Sequence, residues 1–179
     1  MLIDAEQSQL VLIDLQARLL PAIHQGDLCL ANAMRLAQAA SLLDVAVWGT
    51  EQNPGKLGGN APELKALCRQ TLAKMQFSAC EEGLTDWLRP EVVAKPPAGN
   101  ARSLPKHLQK PAPAAPVRNS VVLAGVEAHV CVLQTALDLL EDEFEVWVVT
   151  DACSSRTERN RDAAYDRLAG AGAELVTTE

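Results

Sequence analysis

Aromatic side chains are scarce: three tryptophans, two phenylalanines and one tyrosine in 179 residues. Trp48, Trp87 and Trp147 are scattered along the chain, so they fit core or rim packing and not a base-stacking platform. A basic excess is also missing, since 16 lysines and arginines face 23 acids for a formal net charge of -7. With no basic stripe to release counterions, no nucleic-acid partner is expected. No apolar run approaches the ~20 residues of a membrane span, which argues against a membrane partner. The five cysteines (Cys29, Cys68, Cys80, Cys131, Cys153) form no CxxC pair and no regular spacing. The N-terminus, MLIDAEQSQLVLIDL, carries acids where a secretion leader would carry bases. Reduced thiols in a cytoplasmic protein are the expectation. Neither HxxxH nor Asp-x-His occurs around the three histidines, so no metal and no cofactor is expected.

What is present suits one soluble domain spanning 1–179, with 48% hydrophobic residues. A chain of this size buries about 70% of its unfolded surface and needs no staple. Strand-like apolar runs alternate with helical patterns. Gln9–Gln16, Val45–Thr50, Thr71–Ser78, Ser120–Val126, Phe144–Asp151 and Ala173–Thr178 read as strands. Leu28–Asp44, Ala61–Gln70, Glu81–Leu88, Val130–Glu143 and Arg156–Gly172 read as helices between them. Such alternation predicts an α/β domain with a mostly parallel sheet covered on both faces. Residues Arg89 to Asn119, dense in proline, alanine and basic residues, break the rhythm and read as a long surface loop or tolerated insertion.

Ligands of open parallel α/β sheets bind beyond the carboxyl ends of the strands. Those ends present Asp14, then Thr50 to Gln52, then Lys74, then Gly125 with Cys131 just beyond, and finally Asp151. A carboxylate, an ammonium and a thiol could meet on one rim. A helix start and a nearby Lys⁺ both favour a thiolate. A carboxylate in reach can take the thiol proton and return it to a leaving amine. Taken singly, each residue also has a bland role: Asp14 as a loop or capping residue, Lys74 as a solvated cation, Cys131 as an inert buried thiol. His129 sits two residues from Cys131 and would diverge from it, so it is read as structural. Cys29, Cys68 and Cys80 are read as packing.

The segments LVLIDLQARLLPAI, GTEQNPGKLGGNAPEL, KMQFSA and VVLAGVEAHVCVLQTALDLLEDEFEVWVVTDACSSR, together with GAELVTTE, resemble the isochorismatase-like cysteine hydrolase superfamily. The resemblance implies a three-layer α/β/α Rossmann-like sandwich with a six-stranded parallel sheet. It implies an Asp14–Lys74–Cys131 catalytic trio, a cis Val126–Glu127 bond without proline, and an oxyanion site at the backbone of Val126, Glu127 and Val130. The implied chemistry is hydrolysis of a C–N bond in a small-molecule amide through a cysteine thioester. Glu51, Gln52, Asn53 and Phe77 are the expected pocket lining. Metal-binding relatives carry an Asp-x-His where this chain reads TEQNPG, so neither metal nor nicotinamide is supported. Relatives usually continue past the position of Glu179 into another helix, and a homo-oligomer, dimer or larger, is expected to cover that sheet edge. Two other readings stand beside the hydrolase. One is a non-catalytic homo-oligomeric scaffold or interaction protein keeping the fold; the other is a redox sensor pairing Cys131 with Cys153.

Overall fold

Six residues, Ser8–Ile13, form strand β1, and every one of them is buried. That is what a strand covered on both faces requires, and it explains the unbroken run SQLVLI. Leu10 and Leu12 pack on one side of the sheet, Val11 and Ile13 on the other. The computed structural model describes residues 2–89 and 118–179. The expected Pro/Ala-rich loop lies outside the described residues, apart from its end residues Arg89, Arg118 and Asn119.

The other strands are β2 (Ala46–Gln52), β3 (Gln70–Lys74), β4 (Ser120–Val126), β5 (Glu145–Ser154) and β6 (Glu174–Val176). They form one sheet in the order β3-β2-β1-β4-β5-β6, and every pairing is parallel. The chain thus builds outward from β1 to one edge, then returns to β4 and builds to the other. Between β1 and β4 the strand order reverses, and in open sheets of this kind ligands bind at such a reversal, beyond the carboxyl ends. Helices α1 (Gly26–Leu42) and α3 (Pro62–Lys65) lie on one face; α4 (Leu84–Leu88), α5 (Leu133–Glu141) and α6 (Glu158–Ala171) lie on the other. A short α2 (Pro54–Leu57) follows β2. This is the expected Rossmann-like three-layer sandwich.

Gly125 is what lets β4 approach β1 at that reversal. Its φ is +141°, and a Cβ there would lie 2.1 Å from the Ile13 carbonyl oxygen. The next peptide but one, Val126–Glu127, is cis. Tryptophan behaves as packing: Trp48 and Trp87 rings sit 5.7 Å apart, and Trp147 is buried.

Three of the boundaries that depart from the sequence reading have a visible physical cause. The helix expected over Ala61–Gln70 stops at Lys65, because Arg69 N–H bonds to Val47 O (2.8 Å) and Gln70 is drawn into β3 beside Trp48. The third strand ends at Lys74 rather than Ser78, since Met75 and Gln76 N–H groups turn to the Glu82 carboxylate (2.9 and 3.1 Å). The helix expected from Val130 begins as a π-helical turn over Ala128–Val132, with Val132 N–H reaching Glu127 O at 3.2 Å. Wide turns of this kind recur at functional sites.

Candidate active site

Asp14, Lys74 and Cys131 arrive from three different strand ends and meet. Asp14 follows β1 with φ +52°, a left-handed conformation uncommon for a residue with a Cβ. The tight turn it makes, Gln16 N–H to Asp14 O at 2.7 Å, swings the side chain beneath the sheet rim. Lys74 is the last residue of β3. Its Nζ lies 2.8 Å from Asp14 Oδ2, and both side chains are 0% exposed. The Lys74 ammonium also donates to Gln52 Oε1 (2.6 Å) and to the Phe77 carbonyl (3.0 Å). Asp14 Oδ1 accepts from Thr50 Oγ1 at 2.7 Å. Oδ2 touches the ammonium off the line of a well-angled hydrogen bond, so it keeps a lone pair for another donor.

Cys131 sits in the π-helical turn that opens α5 and is buried. Its Sγ lies 4.0 Å from Gln52 Oε1. Here the expected activation is corrected. The thiol is not lowered; it is pushed up from 9.0 to about 12, first by burial and then by the Asp14 charge and hydrogen bond, while Lys74 pulls it down. The helix-start donors do not help either, because Val130 and Val132 N–H groups both donate to Glu127 O (3.1 and 3.2 Å). The Val130 N–H expected at the oxyanion site is therefore occupied. Desolvation wins over the lysine, and the resting thiol is neutral.

The remaining expected residues separate by strand parity. Side chains alternate along β2, so Thr50 and Gln52 face Asp14 and Lys74 while Glu51 faces the opposite layer. Glu51 Oε1 accepts from Lys65 Nζ (2.8 Å) and Asn60 N–H (2.9 Å), which removes it from the expected pocket lining. Phe77 contributes its carbonyl to Lys74, whereas the residue itself is half exposed. Asn53 receives β3 through a bond from its own N–H to Lys74 O at 2.8 Å. Glu127 pairs with Arg156 (3.0 Å), and its second oxygen is buried without a hydrogen-bond partner among the described residues. His129 has the structural role expected of it: Nδ1 is 2.9 Å from Ser155 Oγ, and Nε2 is 3.4 Å from Asn160 Nδ2.

Two groups escaped the sequence reading as site residues. Thr50 was noted only as a strand end, yet its hydroxyl orients the Asp14 carboxylate. Gln16 brackets Gln52, accepting its N–H (2.8 Å) and donating to its carbonyl (3.0 Å). Period-two counting along β2 would have paired Thr50 with Gln52; nothing in the sequence marks Gln16. Among the described residues, no group of three or more His, Cys, Asp or Glu side chains could hold a metal ion, and no helix is long and apolar enough to cross a membrane.

The family model of the isochorismatase domain matches residues 8–179. The chain belongs to the isochorismatase family. Isochorismatase domain-containing protein 2 of Rattus norvegicus is 36% identical over 174 residues, covering 97% of this chain and 71% of the relative. The structure of MAR1 ribonuclease from Caenorhabditis elegans superposes with a TM-score of 0.81 at 32% identity, covering 99% of this chain and 80% of that one. The YcaC gene product of Escherichia coli, an octameric hydrolase of unknown specificity, superposes with a TM-score of 0.75 at 26% identity, covering 98% and 77% of the two chains. Membership in this family supports a hydrolase.

Proposed function

We propose that this protein hydrolyses the C–N bond of a small amide through a thioester on Cys131. The observation that carries the reading is the 2.8 Å contact between fully buried Lys74 and Asp14 at the rim where Cys131 stands. Because the thiol rests neutral, thiolate is generated only as it reacts. Asp14 Oδ2 takes the Sγ proton while sulfur attacks the carbonyl carbon, and Lys74 offsets the negative charge that accumulates. With the Val130 N–H occupied, the neighbouring Cys131 N–H is proposed to face the oxyanion. Collapse breaks the C–N bond, and Asp14 returns the proton to the leaving nitrogen. Water then attacks the thioester, giving up a proton to Asp14, and the acid leaves as the thiol is restored.

The scaffold reading is less well supported, on physical grounds. A buried ion pair adds little net stability compared with apolar residues of like volume, so a scaffold has no use for one wired on every side. We also propose a small-molecule substrate rather than RNA: the C. elegans neighbour is a ribonuclease, but a net charge of -7 gives a phosphate backbone little to bind. The octameric YcaC neighbour supports a homo-oligomer, and light scattering on the purified chain tests that. A cytoplasmic location is proposed from the cysteine usage alone.

The test is acyl trapping. Wild type and Cys131→Ala are incubated with a panel of small primary amides and with 4-nitrophenyl acetate, then read by ammonia release and intact-protein mass. The expected result is an acyl adduct on wild type alone, with ammonia from at least one amide. Absence of both adduct and ammonia across the panel favours the scaffold.

A further inference from the structure

We infer that Gln52 selects the leaving group, favouring a scissile bond that ends in N–H over the ester of the same acid; this rests on the hydrolase reading above. Gln52 closes β2, and its carboxamide is pinned at both ends. Nε2 donates to Met75 O at 2.8 Å, and Oε1 accepts from Lys74 Nζ at 2.6 Å. The two partners fix which atom is which, because an ammonium only donates and a carbonyl only accepts. A rigid acceptor is thereby held 4.0 Å from the Cys131 sulfur, and Gln16 clamps the backbone behind it.

A carbonyl carbon under attack by Sγ carries an acyl chain, an oxygen gaining negative charge, and a leaving atom. The developing oxyanion is repelled by Oε1. The leaving atom must lie beside Asp14, which delivers its proton, and Asp14 and Gln52 both contact the one Lys74 ammonium. An amide nitrogen there presents its own hydrogen to Oε1. An ester oxygen presents a lone pair to the same fixed acceptor. Oε1 keeps the Lys74 donor in either case, but only the amide fills its second lone pair. The ester sets lone pair against lone pair at a fixed distance, and sites that hydrogen-bond an N–H discriminate against analogues lacking it. The bonds balance as S–C forms, C–N breaks, and the thiol proton passes by way of Asp14 to the departing ammonia or amine.

Propionamide and methyl propionate share one acyl group and isolate the leaving atom. Their kcat/KM values are measured on wild type, Gln52→Leu and Gln52→Glu. The amide-to-ester ratio is expected to fall at least ~10-fold in Gln52→Leu and to return within ~3-fold of wild type in Gln52→Glu, which keeps an acceptor. If Gln52→Leu lowers both substrates by one common factor, the inference is overturned while the hydrolase stands, because Gln52 would then only hold Lys74. If neither substrate nor 4-nitrophenyl acetate acylates wild-type Cys131, the inference falls together with the hydrolase reading.

Discussion

Cys131 and Cys153 belong to neighbouring segments, one just past β4 and the other inside β5, and both are buried. Burial pushes both thiols upward, Cys131 to about 12 and Cys153 well above its ordinary range. In burial and in the direction of that shift they are alike. Their company differs. Cys131 has Asp14 and Lys74 acting on it and Gln52 in front of it. The Cys153 sulfur donates to Leu123 O at 3.7 Å, and the ionisable groups acting on it are Cys29 and Asp151. On the reading proposed above, Cys131 becomes a nucleophile through the carboxylate beside it, which takes its proton as the sulfur attacks. Cys153 is engaged with β4, and both cysteines are free thiols.

The largest expected effect separates the two cysteines directly. Cys131→Ala should abolish turnover by ~10³-fold or more, as loss of a nucleophile does, and Asp14→Asn should fall by at least ~10²-fold. Cys153→Ala should stay within ~3-fold, leaving only a stability loss of about 1 kcal/mol for a small core cavity. Ammonia release from the best amide of the panel measures all three. Comparable loss in Cys131→Ala and Cys153→Ala would erase the distinction.

Next comes the ion pair. Lys74→Met strands the Asp14 carboxylate in the interior and should destabilise the fold by about 3–5 kcal/mol. Lys65→Met removes the half-exposed partner of a buried Glu51 carboxylate that keeps the Asn60 N–H, and should cost less, about 1–3 kcal/mol. Urea-denaturation midpoints compare the two. Equal losses would mean that the Asp14–Lys74 contact is no different in kind from a pair with one half-exposed partner.

The smallest effect is the most discriminating. Asp14 raises the Cys131 thiol and Lys74 lowers it, so Asp14→Asn should make the thiol ionise at lower pH and Lys74→Met at higher pH. Iodoacetamide labelling of Cys131 against pH should therefore quicken in Asp14→Asn even as its turnover collapses. Since the thiol value in the fold lies above 9.0, labelling of the native wild type rises only above pH 9, later than in the unfolded chain. A turnover that tracked labelling across these variants would assign Asp14 no role in proton transfer.

Much of this molecule follows from linear pattern. Buried parallel strands read as continuous apolar runs because both faces are covered, so the LVLI of β1 and the VVLAGV of β4 mark themselves. Strand ends in such a sheet carry the chemistry, so Asp14, Lys74 and Cys131 are found by position and residue type. Other features needed the third dimension. Whether Lys74 meets Asp14 depends on strand order, and β3, β2, β1 and β4 are adjacent in space through pairings no local pattern encodes. The direction of the thiol shift was misread because helix ends and nearby lysines are visible in sequence, whereas the depth of burial that outweighs them is a property of packing. Glu51 and Gln52 are neighbours in the chain and occupy opposite faces of the sheet: composition cannot tell them apart, but the pleat does. Sequence determined the elements and the reactive types. Tertiary structure decided which of those groups share a desolvated space, because strand order and depth of burial are properties of packing and not of local pattern.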